Sequence, residues 1–559
     1  MRQRITTKPK RHKLGARSPI ALVFPNTRKV GLSNLGFQFL KSTLEQSGIF
    51  APETFFVDEQ FLKRPTDLTS RVLEGDRASL KRFPIVAFSI PFENDYWIVP
   101  RTLISAGIPP LRKDRRPVDP LVLAGGVSVS MNPEALGEFL DLVFIGELVG
   151  AIDDPNGLWD LLKEFCESRS ATRDRHEFHR NFKDVQGVYV PEAYSFRYKD
   201  DGTISVIEPE PGFPDRITAV KRLSTLDAPP LIILDDFPTE FKNSCLVEVN
   251  RGCARGCGFC SGGWIHRPVR HYKYDSIKNG LAEAIKARKT IGLIGSDLAS
   301  HPDLLNMLND IADQGGKFSL SSIRPEGLND EIIKRIVESG QKTATLAPEV
   351  ASERLKRVIG KQIPNKLFFE LIEKLVSAGA PNLRFYFMIG LPTETEEDVK
   401  EIIEFVLESR EIFLNSSRKM GKIGRIGVQL NAFVPKPWTP FQWAAALSKK
   451  EWDHRIKIIE DRLRGVKNLV VRHESTRMSE IQAVLSRADR RISSGVKLMA
   501  EQGKLGMSCF AGADPDVKFY SERTRGPEEI FPWDIVDHGV PKKLLRARFE
   551  KAISSGKDI

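Results

Sequence analysis

"VEVNRGCARGCGFCSGGWIHRPVR", residues 247–270, gathers three of the chain's six cysteines into eight positions with the spacing C-x3-C-x2-C. Disulfide scaffolds are short, secreted and dense in cysteine. A 559-residue chain with six cysteines is none of these. Cys253, Cys257 and Cys260 therefore read as ligands of a metal or cluster in a reducing cytoplasm. Gly252, Gly256 and Gly258 lie between or beside them, where a tight ligating loop needs a backbone that turns with positive φ. Three thiolates on a cubane [4Fe–4S] leave one iron open to a small molecule. Structural zinc takes four protein ligands, so that reading needs Cys245 or His266 as the fourth.

Outward from this loop, "CLVEVN" (245–250) reads as the strand leading into it. "IGLIG" (291–295), "FSLSSI" (318–323), "TATLA" (343–347), "LRFYFMIG" (383–390) and "IGVQLNAF" (426–433) continue the series. Helical periodicity separates them over 275–288, 302–313, 329–339, 351–359 with 365–379, and 396–410. The alternation predicts a central (β/α)6 partial TIM barrel over 241–440, with the cysteines at the carboxyl ends of its strands, where such barrels keep their sites. In "PTETEEDV", the acids Glu396, Glu397 and Asp398 fit a helix's first turn.

Earlier in the chain, "IALVFP" (20–25), "IVAFSIP" (85–91), "LVLAGG" (121–126) and "LDLVFIGE" (140–147) read as strands separated by helical stretches. They predict an α/β, doubly wound, Rossmann-like parallel sheet over 18–165. Its ligand crevice would lie beyond the strands' carboxyl ends, at the loops Pro25–Gly36, Ser89–Tyr96, Gly125–Ser130 and Gly146–Gly150. Residues 166–240 read as a connector or small subdomain with a hairpin around "YKDDGTISV". Residues 441–559 read as a mostly helical C-terminal region, clearest in "KKEWDHRIKIIEDRLRGV". Residues 1–17 are a basic tail whose seven Lys and Arg supply much of the net charge of +11. That charge, with "SRADRR" (486–491) and "HRPVRH" (266–271), is weak support for a nucleic-acid partner. The competing reading of Arg267 and Arg270 is that they pack against acids or balance a cluster's charge. Cys509 and His473 read as structural. No run approaches about 18 uninterrupted apolar residues, so no membrane span is expected.

These motifs together resemble the radical S-adenosylmethionine superfamily: C-x3-C-x2-C with Phe259 before its last cysteine, on the loop closing the first strand of a six-unit barrel. The resemblance implies that Cys253, Cys257 and Cys260 hold a [4Fe–4S] cluster whose open iron binds S-adenosyl-L-methionine. It implies an electron donor such as a ferredoxin or flavodoxin. Gly295, Ser296 and Asp297 stand where the superfamily has a Gly-Gly-Glu-like turn for the methionine amino group. Arg324 ends the third strand, where it could pair a carboxylate of a bound molecule or sit in a surface salt bridge; Glu349 ends the fourth as the polar residue that the family aims at cofactor or substrate, and Gly390 and Pro392 form the turn beside the adenine. A doubly wound domain ahead of the barrel resembles the cobalamin-binding domain of one branch, with Asn26, Ser89, Gly125 and Gly126 as its contacts. The usual loop carries Asp-x-His-x-x-Gly, whereas "PNTRKVGLSNLG" (25–36) has no histidine. With cobalamin, the resemblance implies methylation of an unactivated carbon. Without it, a radical rearrangement or modification of RNA or peptide remains, as does a non-catalytic zinc protein. Methylthiotransferase chemistry would need an N-terminal cysteine trio, and only Cys166 precedes Cys245.

Overall fold

The computed structural model describes residues 17–66, 72–74, 80–147, 157–167, 174–221, 231–233, 239, 241, 244–287, 289–320, 324–421 and 423–556. Residues 1–16 of the basic tail, the end of the expected third barrel strand and the end of the Gly146–Gly150 loop lie outside them.

The first domain is built on β1 (Ser18–Thr27), β2 (Phe50–Val57), β3 (Ile85–Ser89), β4 (Leu121–Gly125), β5 (Leu142–Phe144) and β6 (Val188–Tyr189), in the order β2-β1-β3-β4-β5-β6. All pairings are parallel except β5 with β6. Fully buried runs such as Ala21–Phe24 and Ile85–Val86 fit strands covered on both faces. The order reverses between β1 and β3, the topological switch point at which such sheets bind ligands. Because β6 comes from residues 166–240, that segment is more than a connector: it supplies an edge of the sheet. It continues as the expected hairpin, β7 (Tyr194–Tyr198) and β8 (Ile204–Pro209), and then β9 (Ile217–Thr218).

The barrel begins with β10 (Leu231–Ile233), antiparallel to β11 (Ser244–Glu248). A small ladder, β12 (Asn250–Arg251) with β13 (Arg270–His271), ties off the cysteine loop between them. Then come β14 (Thr290–Ile294), β15 (Lys317–Leu320), β16 (Thr343–Glu349), β17 (Asn382–Ile389), β18 (Ile426–Ala432) and β19 (Leu469–His473). β11, β14 and β15 pair in parallel, as do β16 to β19. At the seam the Gln341 amide stands in for a backbone ladder. It accepts from Leu320 N at 3.1 Å and donates to Thr343 O at 2.9 Å. One apolar core spans both halves, from Ile291 and Phe318 to Phe385 and Val428.

The six expected strands and their helices are present, and β19 is a seventh parallel strand in a region expected to be helical. The rest of 441–556 is mostly helical and packs back on the first domain. β20 (Val536–Asp537) pairs with β9, and Arg490 reaches the Glu134 carboxylate at 2.7 and 2.9 Å. No helix among the described residues is long and apolar enough to cross a membrane.

Candidate functional site

The cysteine loop is held on three sides. Gly258 N donates to Ile359 O at 2.8 Å, Phe441 N donates to Gly258 O at 3.0 Å, and Trp264 Nε1 donates to Cys257 O at 3.0 Å. Gly252 and Gly256 have φ of 82° and 69°, as the sequence predicts. Gly258 departs from the expectation. Its φ is not left-handed, and its role is proximity, because a Cβ there would lie 2.6 Å from the Phe441 ring. Cys253 and Cys257 are buried and Cys260 is half-buried.

The surroundings of the three sulfurs combine burial with nearby positive charge and N–H donors. Arg255 N donates to Cys253 Sγ at 3.5 Å. Burial pushes the Cys257 thiol up to about 11, opposed by Lys361 and Arg324. Burial also pushes Cys260 up, opposed by the N–H groups of Gly263 and Gly262. Among the described residues, no three His, Cys, Asp or Glu side chains converge as one shared ion requires. Each thiolate of a cubane binds a different iron, so a cluster does not ask them to converge. Neither zinc candidate completes a fourth position. Cys245 is buried in the barrel core, and His266 Nδ1 faces Glu147 at 3.6 Å.

The later strand ends close round this loop. Gly295 lets Asn250 approach, since a Cβ would meet Asn250 Oδ1 at 2.1 Å; Asn250 Nδ2 in turn donates to Asp297 O at 2.6 Å. Asp297 is buried. Its Oδ2 lies 3.9 Å from Cys253 Sγ and 3.3 Å from Arg255 Nε, while Oδ1 has no partner. An unsatisfied buried carboxylate oxygen is costly, and an ammonium group would satisfy it. Arg324 pairs with Glu326 at 3.2 Å within its own loop, the salt-bridge reading of that residue. Glu349, with φ of 67°, takes Lys361 Nζ at 3.0 Å. Gly390 N donates to Glu394 Oε1 at 2.8 Å, and Arg455 pairs with the same oxygen at 2.6 Å. Pro392 is half-buried in this turn. Glu396, Glu397 and Asp398 do occupy a helix's first turn, with Thr395 and Asp398 forming a capping box. Glu349, Thr393 and Trp438 all hold positive φ at the ends of consecutive strands. Such backbone costs about 1–3 kcal/mol each and gathers at functional sites.

A cavity of about 460 Å³ runs along one face of the first sheet and ends at the barrel mouth. Its walls are apolar at Ile20, Leu22, Leu123 and Trp159; Ser89, Gly125, Gly126 and Ser130 lie toward the strand ends, with Glu248, Arg251 and Ser296 from the barrel. Gly126 has φ of 114°, and a Cβ there would strike Ile90 O at 2.5 Å. Asn26 is a correction: it does not line the cavity, because its Nδ2 donates to Asp95 at 3.1 Å. The segment expected as an open loop instead forms a helix, Arg28–Ser33, capped by Thr27; Asn34, Leu35 and Gly36 after it reach the cavity.

The arginine-rich motifs are used internally. Arg487 is fully buried and donates to Ala444 O and Ser521 O. Arg491 pairs with Asp489 and stacks on Tyr198. Arg267 stacks on Trp264 at 4.1 Å, and Arg270 grips Glu147 at 2.6 and 2.7 Å. His473 faces Glu460, and Cys509 is buried. The sequence did not single out Asn250, Lys361 or Arg455, and read Glu147 only within "IGE" (145–147) at a strand end. Each matters through a partner distant in sequence.

Residues 36–191 match the family described as radical SAM proteins, N-terminal, and residues 247–406 match the radical SAM superfamily. Over 480 residues the chain is 28% identical to an uncharacterized protein of Methanocaldococcus jannaschii, covering 85% of this chain and 89% of that one. It is 26% identical over 175 residues to the ribosomal protein uS12 methylthiotransferase RimO of Thermodesulfovibrio yellowstonii, covering 29% of this chain and 41% of that one. Among solved structures, the radical S-adenosylmethionine methyltransferase TsrM of Kitasatospora setae, with cobalamin and [4Fe–4S] cluster bound, gives a TM-score of 0.46 at 14% identity over 76% of this chain and 74% of that one. The cobalamin-dependent S-adenosylmethionine radical enzyme OxsB gives 0.42 at 14% identity over 72% and 56%.

Proposed function

We propose, from the premise that this chain belongs to the radical SAM superfamily, that it is a cobalamin-dependent methyltransferase acting on an unactivated carbon. The observation that carries the reading is the cavity. It joins the switch-point end of the first sheet to the mouth of the barrel that holds the cysteines, so that two cofactors can face one substrate.

When bound, the cluster supplies the electron that cleaves S-adenosylmethionine to methionine and a 5′-deoxyadenosyl radical, and cobalamin supplies a transferable methyl group. The chain's own residues do the rest. Cys253, Cys257 and Cys260 ligate the cluster. Asp297 offers its unpaired Oδ1 to the methionine ammonium, with Gly295 and Ser296 shaping that turn. Lys361 and Arg324 offset the charge of the thiolates. Gly390 and Pro392, fixed by Glu394 and Arg455, present a rigid turn to the adenine, and Glu349 and Phe259 border the same mouth. Ser89, Gly125 and Gly126 bring backbone close to the cobalamin, and the apolar slot suits a flat ring. The 25–36 segment offers the metal no imidazole. The electron comes from a ferredoxin or flavodoxin.

The test is anaerobic purification and reconstitution with iron, sulfide and hydroxocobalamin. About four irons per chain, lost in Cys257→Ala, support the cluster. Cobalamin absorbance surviving gel filtration in the native protein, and lost in Leu123→Trp with iron retained, supports the cavity assignment. Iron without cobalamin leaves a radical enzyme whose cavity takes substrate, and zinc in place of iron sinks the radical reading.

A further inference from the structure

We propose that the inner face of the barrel's second half is an anion subsite, in which Arg384 and Arg472 hold the carboxylate or phosphate of an elongated substrate. Strand residues alternate between faces. Leu383, Phe385 and Phe387 of β17 pack outward, with Phe385 and Phe387 against Phe405 of the helix Glu396–Lys419. Arg384 and Tyr386 therefore face the concave side. The parallel register places Gly427 beside Arg384, and Gln429 between Tyr386 and Arg472. On β19, Leu469 and Val471 join the outer core and His473 faces Glu460 of the helix Lys449–Leu463, which leaves Arg472 on the inside.

Both arginines are exposed, and three features single them out among the exposed charges. Among the described residues neither has an acid within salt-bridge distance. The two carboxylates at the mouth on the same face are already engaged: Glu349 by Lys361 at 3.0 Å and Glu248 by Arg251 at 2.6 Å. Between the two arginines the middle strand carries Gly427, whose missing side chain leaves room for a ligand; only Arg384 Cγ, at 3.9 Å, and a Leu383 backbone oxygen lie near the vacant Cβ position. β19 is also an edge strand, as β10 is at the other end of the series. The barrel is thus open laterally at the strand that carries Arg472.

At about 4.8 Å between strands and 3.3 Å per residue, the two Cα atoms are about 12 Å apart. Two planar guanidinium forks can close that distance on one carboxylate or phosphate, the geometry arginine recognises best. The Arg384 row lies about 13 Å below the Met388 row at the mouth. The substrate's anion is therefore well removed from its reacting carbon. That the occupant is the substrate rests on the radical reading above; anion binding itself does not.

The experiment titrates the anaerobically prepared full chain by calorimetry at low salt, with inorganic phosphate, pyrophosphate and glutarate as probes. The variants are Arg384→Gln and Arg472→Gln, with Arg418→Gln on the outer helix as control. Expected is one saturable site per chain, weakened at least tenfold by either inner substitution, unchanged in the control, and with the preferred probe identifying phosphate or carboxylate. S-adenosylmethionine binding, followed by equilibrium dialysis, stays unchanged in both variants. Absence of saturable binding for all three probes, or full binding in the double variant, overturns the proposal. Loss of S-adenosylmethionine binding in Arg472→Gln overturns it too, by giving that arginine to the cofactor. A chain that binds the probes but neither iron nor S-adenosylmethionine would keep the anion site and discard the radical reading.

Discussion

Replacing Glu147 by Gln should loosen the junction between the first domain and the cysteine loop. The carboxylate takes Arg270 at 2.6 and 2.7 Å and lies 3.5 Å from Arg251 and 3.6 Å from His266; its side chain is 6% exposed. Burial alone would raise its pKa, but His266, Arg270 and Arg251 outweigh burial and hold the carboxyl far below the usual range. Its stabilising contribution is therefore complete above the unfolded value near 4.5 and is lost only as pH falls toward the low folded value. Removing one partner of a buried pair costs about 3–5 kcal/mol when the other charge is left unpaired, and less where that charge keeps other partners. Arg251 keeps Glu248, and Arg270 keeps the Pro268 and His266 carbonyl oxygens, so the loss is expected at the low end of that range. A chain of several domains does not unfold in one step, so the proper readout is local. Native-state hydrogen exchange of the amides near Glu147 and Arg270 gives the free energy of opening. Glu147→Leu with Arg270→Met should recover most of the deficit, since an apolar pair of similar volume replaces the ion pair. A single substitution costing under about 1 kcal/mol, or a double variant worse than the single, would refute the reasoning.

Two further outcomes follow from the packing. Gly258→Ala should lower iron per chain while leaving the barrel's circular dichroism unchanged, because the new methyl meets the Phe441 ring at 2.6 Å; Phe441→Leu in the same chain should restore the iron. Burial brings His538 down to about 4 from its ordinary 6.5, despite its bond to Ser130 O. The unfolded chain then takes the proton first, so the His538 contribution is full above about pH 6.5 and falls by about 3 kcal/mol toward pH 4. His538→Gln should flatten that part of the pH–stability curve, and an unchanged slope would assign it elsewhere.

The barrel was legible because its strands are short apolar runs ending in Gly, Pro or Asn, and its helices carry 3.6-residue periodicity between them. β2 and β19 were not. "FAPETFFV" contains a proline and a glutamate, and "LVVRH" is a half-exposed edge strand preceded by a long helix, so neither carries a buried strand's pattern. The cysteine spacing disclosed the ligand loop, and the glycines at 252 and 256 followed from its turns. The groups that complete the mouth were hidden by distance along the chain. Asn250 meets Asp297 across 47 positions and Glu147 meets Arg270 across 123, and local pattern carries no trace of such pairs. Asn26 misled for the opposite reason: it sits at a strand end where a ligand loop is expected, but Asp95 takes its side chain.

The pairing of β9 with β20 has a meaning in time. Residues 217–218 leave the ribosome more than 300 positions before residues 536–537, and His538, which lines the cavity, comes later still. At about 5–20 residues per second, that wall arrives roughly 15 to 60 s after the sheet it covers. Until then the cavity lacks the His538 part of its wall. Once that segment docks, His538 completes its part of the cavity wall.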